Sequence, residues 1–165
     1  MEIDEDLYIS NNRSLGDIKA LSGLTGVNDL SIINNDVLVN LEGLNNMVKI
    51  DGSLNISENR DLENIEALPS LTNIKYSLNL SYNSQIQSLK GLGNLEYGSY
   101  LNINIWDNYR LSDFCALKNA VSGMECSSSW WCNFYASENA YNPELDDVKN
   151  DAGCKQEFYR VSPAL

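Results

Sequence analysis

Leucine begins a similar stretch at Leu7, Leu30, Leu54, Leu78 and Leu101, a spacing of 23 or 24 residues that recurs through most of the 165-residue chain. Self-similarity at such a period marks a chain built from one repeated unit. Aligned on these leucines, the next apolar column is Ile9, Ile32, Ile56, Leu80 and Ile103. An asparagine column follows at Asn12, Asn35, Asn59 and Asn83, and is recovered at Asn108 if the fifth copy carries two extra residues around Ile105 and Trp106. Later columns then stay in register: Leu15, Leu38, Leu62, Ile86, Leu111; Ile18, Leu41, Ile65, Leu89, Phe114; and Leu21, Leu44, Leu68, Leu92, Leu117.

The apolar gaps run at two and then repeatedly at three, with β-branched residues and turn formers between them. An amphipathic helix needs alternating gaps of three and four, so a strand followed by tight corners is predicted for each copy. One such coil cannot bury its own apolar residues, whereas stacked coils share a core. The expected fold is mainly β, a right-handed β-helix-like solenoid of about five to six coils. Coils start near 7, 30, 54, 78 and 101, with a degenerate one near 134, where F-Y-A-S-E-N echoes the L-N-I-S-E-N of residues 54–59. A corner asparagine can accept from a turn N–H and donate to the next coil's carbonyl, so Asn12, Asn35, Asn59, Asn83 and Asn108 are read as a structural column. A column of small residues, Ala20, Gly43, Ala67, Gly91 and Ala116, implies a tight corner.

Composition narrows the function. The net charge of −12 disfavours a nucleic-acid partner, which calls for a basic surface. The chain has no histidine, which removes the commonest general base and metal ligand. Carboxylates fall on separate corners and no calcium-loop motif appears, so no catalytic residue, metal or cofactor is expected. No stretch is long and apolar enough for a membrane span, and the N-terminus lacks a signal-peptide pattern. Four cysteines, Cys115, Cys126, Cys132 and Cys154, cluster late without a C-x-x-C pair, which favours disulfides and an oxidising compartment.

The pattern L-x-I-x-x-N-x-x-L-x-x-I-x-x-L-x-x-L of residues 54–71 resembles the receptor L-domain-like repeats of bacterial surface proteins, related in style to leucine-rich repeats. Two spacers separate Asn59 from Leu62 where a standard leucine-rich repeat has one. The resemblance spans about residues 3–154 and implies a single domain over 1–154, with a C-terminal cap over 113–154 and a tail over 155–165. In those proteins a D-F-C segment and a later N-P-x-L-x-D-[IV] segment before Gly and Cys form the cap. Both occur here, as Asp113–Cys115 and Asn142–Cys154. The resemblance thus implies a Cys115–Cys154 disulfide, with Cys126 and Cys132 in a local bridge around Trp130 and Trp131, although four cysteines allow three pairings. Asn142 and Pro143 are read as the start of a helix that ends at Gly153. At the other end, either an earlier coil or cap preceded Ile3, or the acidic run Glu2, Asp4, Glu5 and Asp6 guards an open edge.

The resemblance further implies a non-catalytic binding or adhesion module at a cell surface or outside the cell, holding a protein or glycan on a lateral β-face; a monomer is expected. Outward strand positions give the rows Tyr8, Ser31, Asn55, Asn79, Asn102 and Ser10, Ile33, Ser57, Ser81, Asn104. Aromatic residues outside the core, Tyr82, Tyr97, Tyr100, Trp106 and Tyr109, gather near coils four and five and suit sugar stacking or a protein contact. The candidate binding residues are therefore Tyr8, Asn55, Asn79, Asn102, Tyr82, Tyr100, Trp106 and Tyr109. A polysaccharide-acting β-helix enzyme and a structural spacer are the alternatives.

Overall fold

The computed structural model describes residues 1–125, 133–150 and 153–156. Among the described residues nine strands form two walls: β1 (Leu7–Ser10), β2 (Gly26–Val27), β3 (Leu30–Ile33), β4 (Lys49–Ile50), β5 (Leu54–Ser57), β6 (Asn73–Ile74), β7 (Ser77–Ser81), β8 (Asn102–Trp106) and β9 (Phe134–Ser137). The major wall is a six-stranded parallel sheet in the order β1-β3-β5-β7-β8-β9, and the minor wall stacks β2, β4 and β6. Among the described residues two short α-helices flank β9, α1 (Lys118–Val121) before it and α2 (Leu145–Lys149) after it. The chain is a β-solenoid of about four regular turns, followed by a longer excursion through α1 that returns as β9. Equivalent asparagines are 23, 24, 24 and 25 residues apart over the regular turns, and 31 apart over the last.

Inward residues of successive coils sit directly over one another, as Leu30, Leu54 and Leu78 or Ile32, Ile56 and Leu80 do in register. All six are buried, as are Leu38, Leu62, Ile86 and Leu111 at the next corner and Leu24, Met47, Leu71 and Leu95 before the minor wall. Each fully buried aliphatic side chain contributes roughly 1.5–3 kcal/mol relative to exposure, which only stacking makes available. The minor wall carries Val27, Ile50 and Ile74 inward and ends at β6.

The fifth copy differs from its expected register. Ser77 pairs with Asn102, Leu78 with Ile103, Asn79 with Asn104 and Ser81 with Trp106. Leu101 is therefore not the counterpart of Leu78, although it is buried. The extra length lies in the corner before β8, not around Ile105 and Trp106. Leu101 closes a turn there onto the Gly98 carbonyl. The degenerate coil is present as expected, with Phe134 beside Ile103 and Ala136 beside Ile105.

The C-terminal end is closed by a disulfide between Cys115 and Cys154, with Cα atoms 4.8 Å apart, as the resemblance implied. Leu145 and Val148 of α2 are buried, with α2 packed beside α1, and the Phe114 N–H donates to the Cys154 carbonyl. Helix α2 departs from expectation: Glu144, not Asn142, is its N-cap, in a reciprocal capping box with Asp147. It ends at Lys149 with Asn150 as C-cap, short of Gly153. Lys155 and Gln156 run back along coil five, with Lys155 bridging to Asp113. Cys126, Cys132, Trp130 and Trp131 lie outside the described residues, as do residues 157–165 of the expected tail.

Candidate functional site

The asparagine column forms a continuous ladder through the corner after each major-wall strand. Asn35 Oδ1 accepts from both the backbone N–H and Nδ2 of Asn12, at 3.2 and 3.3 Å. Asn59, Asn83 and Asn108 repeat this toward the rung before them, and Asn139 extends the row. The Nδ2 of Asn35, Asn59, Asn83 and Asn108 also donates to a carbonyl of the preceding coil, as Asn59 does to Ile32 at 2.9 Å, and to one of its own, as Asn59 does to Ser57 at 3.0 Å. The carboxamide thus reaches back to the preceding coil, the reverse of the expected direction. Buried Asn35, Asn59, Asn83 and Asn108 are satisfied completely, which leaves them a structural role.

The ladder forces an unusual backbone on the residue before each rung. Asn11, Asn34, Glu58, Tyr82, Asp107 and Glu138 all have φ between 53 and 60°. In this left-handed corner the side chains before and after the buried rung both project to solvent. Two outward rows result, and between them runs a groove of about 560 Å³. Asn34, Glu58, Tyr82 and Asp107 line one side, and Asp36, Arg60, Ser84 and Tyr109 the other. It crosses four coils, a length of about 14 Å at ~4.8 Å per strand spacing.

Within the groove, the Tyr109 hydroxyl donates to Asp107 Oδ1 at 3.2 Å. That hydrogen bond to a carboxylate, and the charge beside it, push the phenol above its ordinary pKa, with smaller contributions from Tyr82 and Glu138. Tyr82 and Tyr109 are half or more exposed, so their ring faces are available to a ligand. Three carboxylates, Asp36, Glu58 and Asp107, surround the single guanidinium of Arg60, which forms no ion pair among the described residues. The arrangement offers aromatic faces, hydroxyl acceptors and one cationic donor in an open channel.

The other expected residues lie elsewhere. Tyr8 projects from β1 at the far end of the sheet, its hydroxyl on Asp6 at 3.2 Å, and this carboxylate raises the phenol pKa. Asn55 and Asn79 do share an outward row, but Asn104 completes it, and Asn102 lies one row earlier opposite Ser77. That row is largely engaged with itself: Asn79 donates to Asn55 at 2.6 Å and Asn104 to Asn79 at 3.0 Å. Trp106 is half-buried in the row of Ser81 and Ser137, and Tyr100 is exposed in the corner before β8. Tyr97 lays its ring against Gly123, where a methyl group would strike it, so it packs the cap. Thus Tyr82 and Tyr109 are brought together, while Tyr8, Tyr100 and Trp106 are not part of the groove. Sequence reasoning missed Asn34, Asp36, Glu58, Arg60, Ser84 and Asp107. The available signal was position, since each flanks a ladder asparagine by one residue.

Among the described residues no group of acidic or cysteine side chains is placed to hold a metal ion, and no helix is long and apolar enough to cross a membrane. Compared with protein-family models, curated proteins and solved structures, the chain gives no match.

Proposed function

We propose that this chain is a non-catalytic glycan-binding module that works outside the cell or at its surface, with the corner groove as its ligand site. The observation that carries this reading is the convergence of Tyr82 and Tyr109 with Asp36, Glu58, Arg60 and Asp107 in one open channel. Sugars present apolar C–H faces that stack on phenol rings, and hydroxyls that donate to carboxylates and accept from a guanidinium. The surplus of carboxylates over Arg60 selects neutral or amine-bearing glycans and repels anionic ones. The Cys115–Cys154 disulfide supports an oxidising compartment. The resemblance to receptor L-domain-like repeats of bacterial surface proteins supports the same setting.

A glycan array probed with the folded protein tests the reading. Neutral or amino-sugar oligomers are expected to be retained, and Tyr82→Ala or Tyr109→Ala to weaken binding at least tenfold with thermal stability unchanged. Tyr8→Ala, at the distant end of the sheet, is expected to leave affinity intact. Retention of anionic glycans only, indifference to both groove tyrosines, or turnover of a bound polysaccharide would overturn it.

A further inference from the structure

The groove repeats once per coil, and its chemistry alternates from side to side. Each of its coils supplies one residue before the ladder asparagine and one after. From the second coil to the fifth, crossing the channel at each step, one zigzag reads Asp36, Glu58, Ser84, Asp107. The complementary zigzag reads Asn34, Arg60, Tyr82, Tyr109. Every carboxylate of the groove falls on the first path, and the guanidinium and both phenol rings fall on the second.

The first path consists of acceptors throughout. The Ser84 hydroxyl donates to the Arg60 carbonyl at 3.3 Å, and Gln85 Nε2 donates to its oxygen at 3.4 Å, so the lone pair left over can only accept. Asp107 takes the Tyr109 hydroxyl at 3.2 Å and keeps further acceptor capacity, because a carboxylate has about four lone-pair sites. Asp36, Glu58 and Asp107 form no ion pair among the described residues.

A ligand with the same edge on every unit would suit acceptors in one straight row. Acceptors that change sides at each coil call for a polymer that turns over at each unit. Equatorial β-1,4-linked pyranoses do this: each ring is flipped relative to the one before, and the extended chain advances by nearly the strand spacing of ~4.8 Å per ring. The edge bearing the C2 and C3 substituents therefore points to opposite sides on successive rings, and the C5–C6 edge takes the other side each time.

We propose, resting on the reading of the groove as a glycan site, that it takes an extended β-1,4-linked amino-sugar chain, one ring per coil. Ammonium groups at C2 meet Asp36, Glu58 and Asp107, and Ser84 accepts from the ring between the last two. The C5–C6 methylene edges lie against Tyr82 and Tyr109, and Arg60 donates to the hydroxymethyl oxygen of its ring. With Asn11 and Glu138 in the same left-handed conformation, the row before the ladder runs on past both ends of the groove. An internal stretch of polymer is thus accommodated, without need of a chain end.

The test is calorimetry of the full chain at mildly acidic pH, where amines are protonated and carboxylates ionised. The ligands are the tetramers of β-1,4-linked glucosamine, β-1,4-linked glucose and α-1,4-linked glucose. The glucosamine tetramer is expected to bind about tenfold more tightly than its neutral counterpart, and the curved α-linked chain more weakly than either. The double variant Glu58→Arg with Arg60→Glu keeps the net charge but moves a carboxylate to the wrong side. It is expected to lose about tenfold for the glucosamine tetramer with its thermal midpoint unchanged. Asp36→Asn, a milder change on the opposite side one coil away, is expected to lose about threefold and keeps the result readable whatever the exchange does to folding. Binding of none of the tetramers, an equal affinity for the amine-bearing and neutral chains or for the α- and β-linked ones, or indifference to these variants would overturn the proposal. The glycan reading itself stands or falls separately, on whether Tyr82→Ala and Tyr109→Ala weaken retention on the array.

Discussion

At the scale of single residues, the ladder asparagines and the left-handed residues before them have opposite energetics. Asn59→Ala removes an acceptor for two Asn35 donors and leaves buried carbonyls without their amide. A loss of about 3 kcal/mol or more is expected in denaturant titrations. Glu58→Gly should do the reverse, because a non-glycine residue at φ 58° costs about 1–2 kcal/mol, part of which returns as unfolded-state entropy. A net gain of roughly 0.5 kcal/mol is expected, seen as a raised thermal midpoint. Charge adds a pH dependence at the N-terminal end. Hydrogen bonds from the Asn28 side chain and the Asp29 N–H hold the Asp6 carboxyl below its ordinary pKa. Its contribution is therefore present above the ordinary carboxylate value and is lost as pH falls through the depressed folded value. Hydrogen exchange should show β1 loosening in that acid window, and Asp6→Ala should abolish the dependence. The ladder was legible because asparagine recurs at each rung. The row before it was not, since Asn, Glu, Tyr and Asp share no composition signal for positive φ, and the groove went unseen with it.

Elements show where a repeating pattern is ambiguous. The run L-N-I-N-I-W at residues 101–106 alternates apolar and polar with period two, so a shift of two residues keeps every side chain on its face. Leu101 and Ile103 therefore compete equally for the place opposite Leu78, and only the backbone pairing chooses Ile103. The same degeneracy moved Asn102 into a row that belongs to Asn104. Corners are less forgiving. A Cβ on Gly91 would run into the Ile65 carbonyl oxygen, and one on Gly43 into that of Ile18, where φ is also +119°. Gly91→Ala is expected to cost about 2–3 kcal/mol by chemical denaturation, although Ala67 and Ala116 occupy equivalent positions in neighbouring coils.

For the whole molecule, contacts run mainly between neighbouring coils, so stability is close to a sum of local terms and interfaces. The disulfide closes a 39-residue separation within the cap, a constraint of about 4 kcal/mol in the chain-entropy model. Replacing Cys115 and Cys154 by alanine should release β9 and α2 in hydrogen exchange while β3, β5 and β7 keep their protection. Stacked coils were readable from the recurrence alone, but their ending was not: Asn142 looks like a helix cap in sequence and serves the ladder in space. That ladder also gives the rod a direction. From Asn35 to Asn142 every side-chain oxygen accepts from the rung before it, so the amide dipoles add along the axis instead of cancelling, and each polarises the next. Electrically the two tips are unlike: a carbonyl oxygen is presented at the Asn12 tip, and anything that reads that tip must approach it donor first.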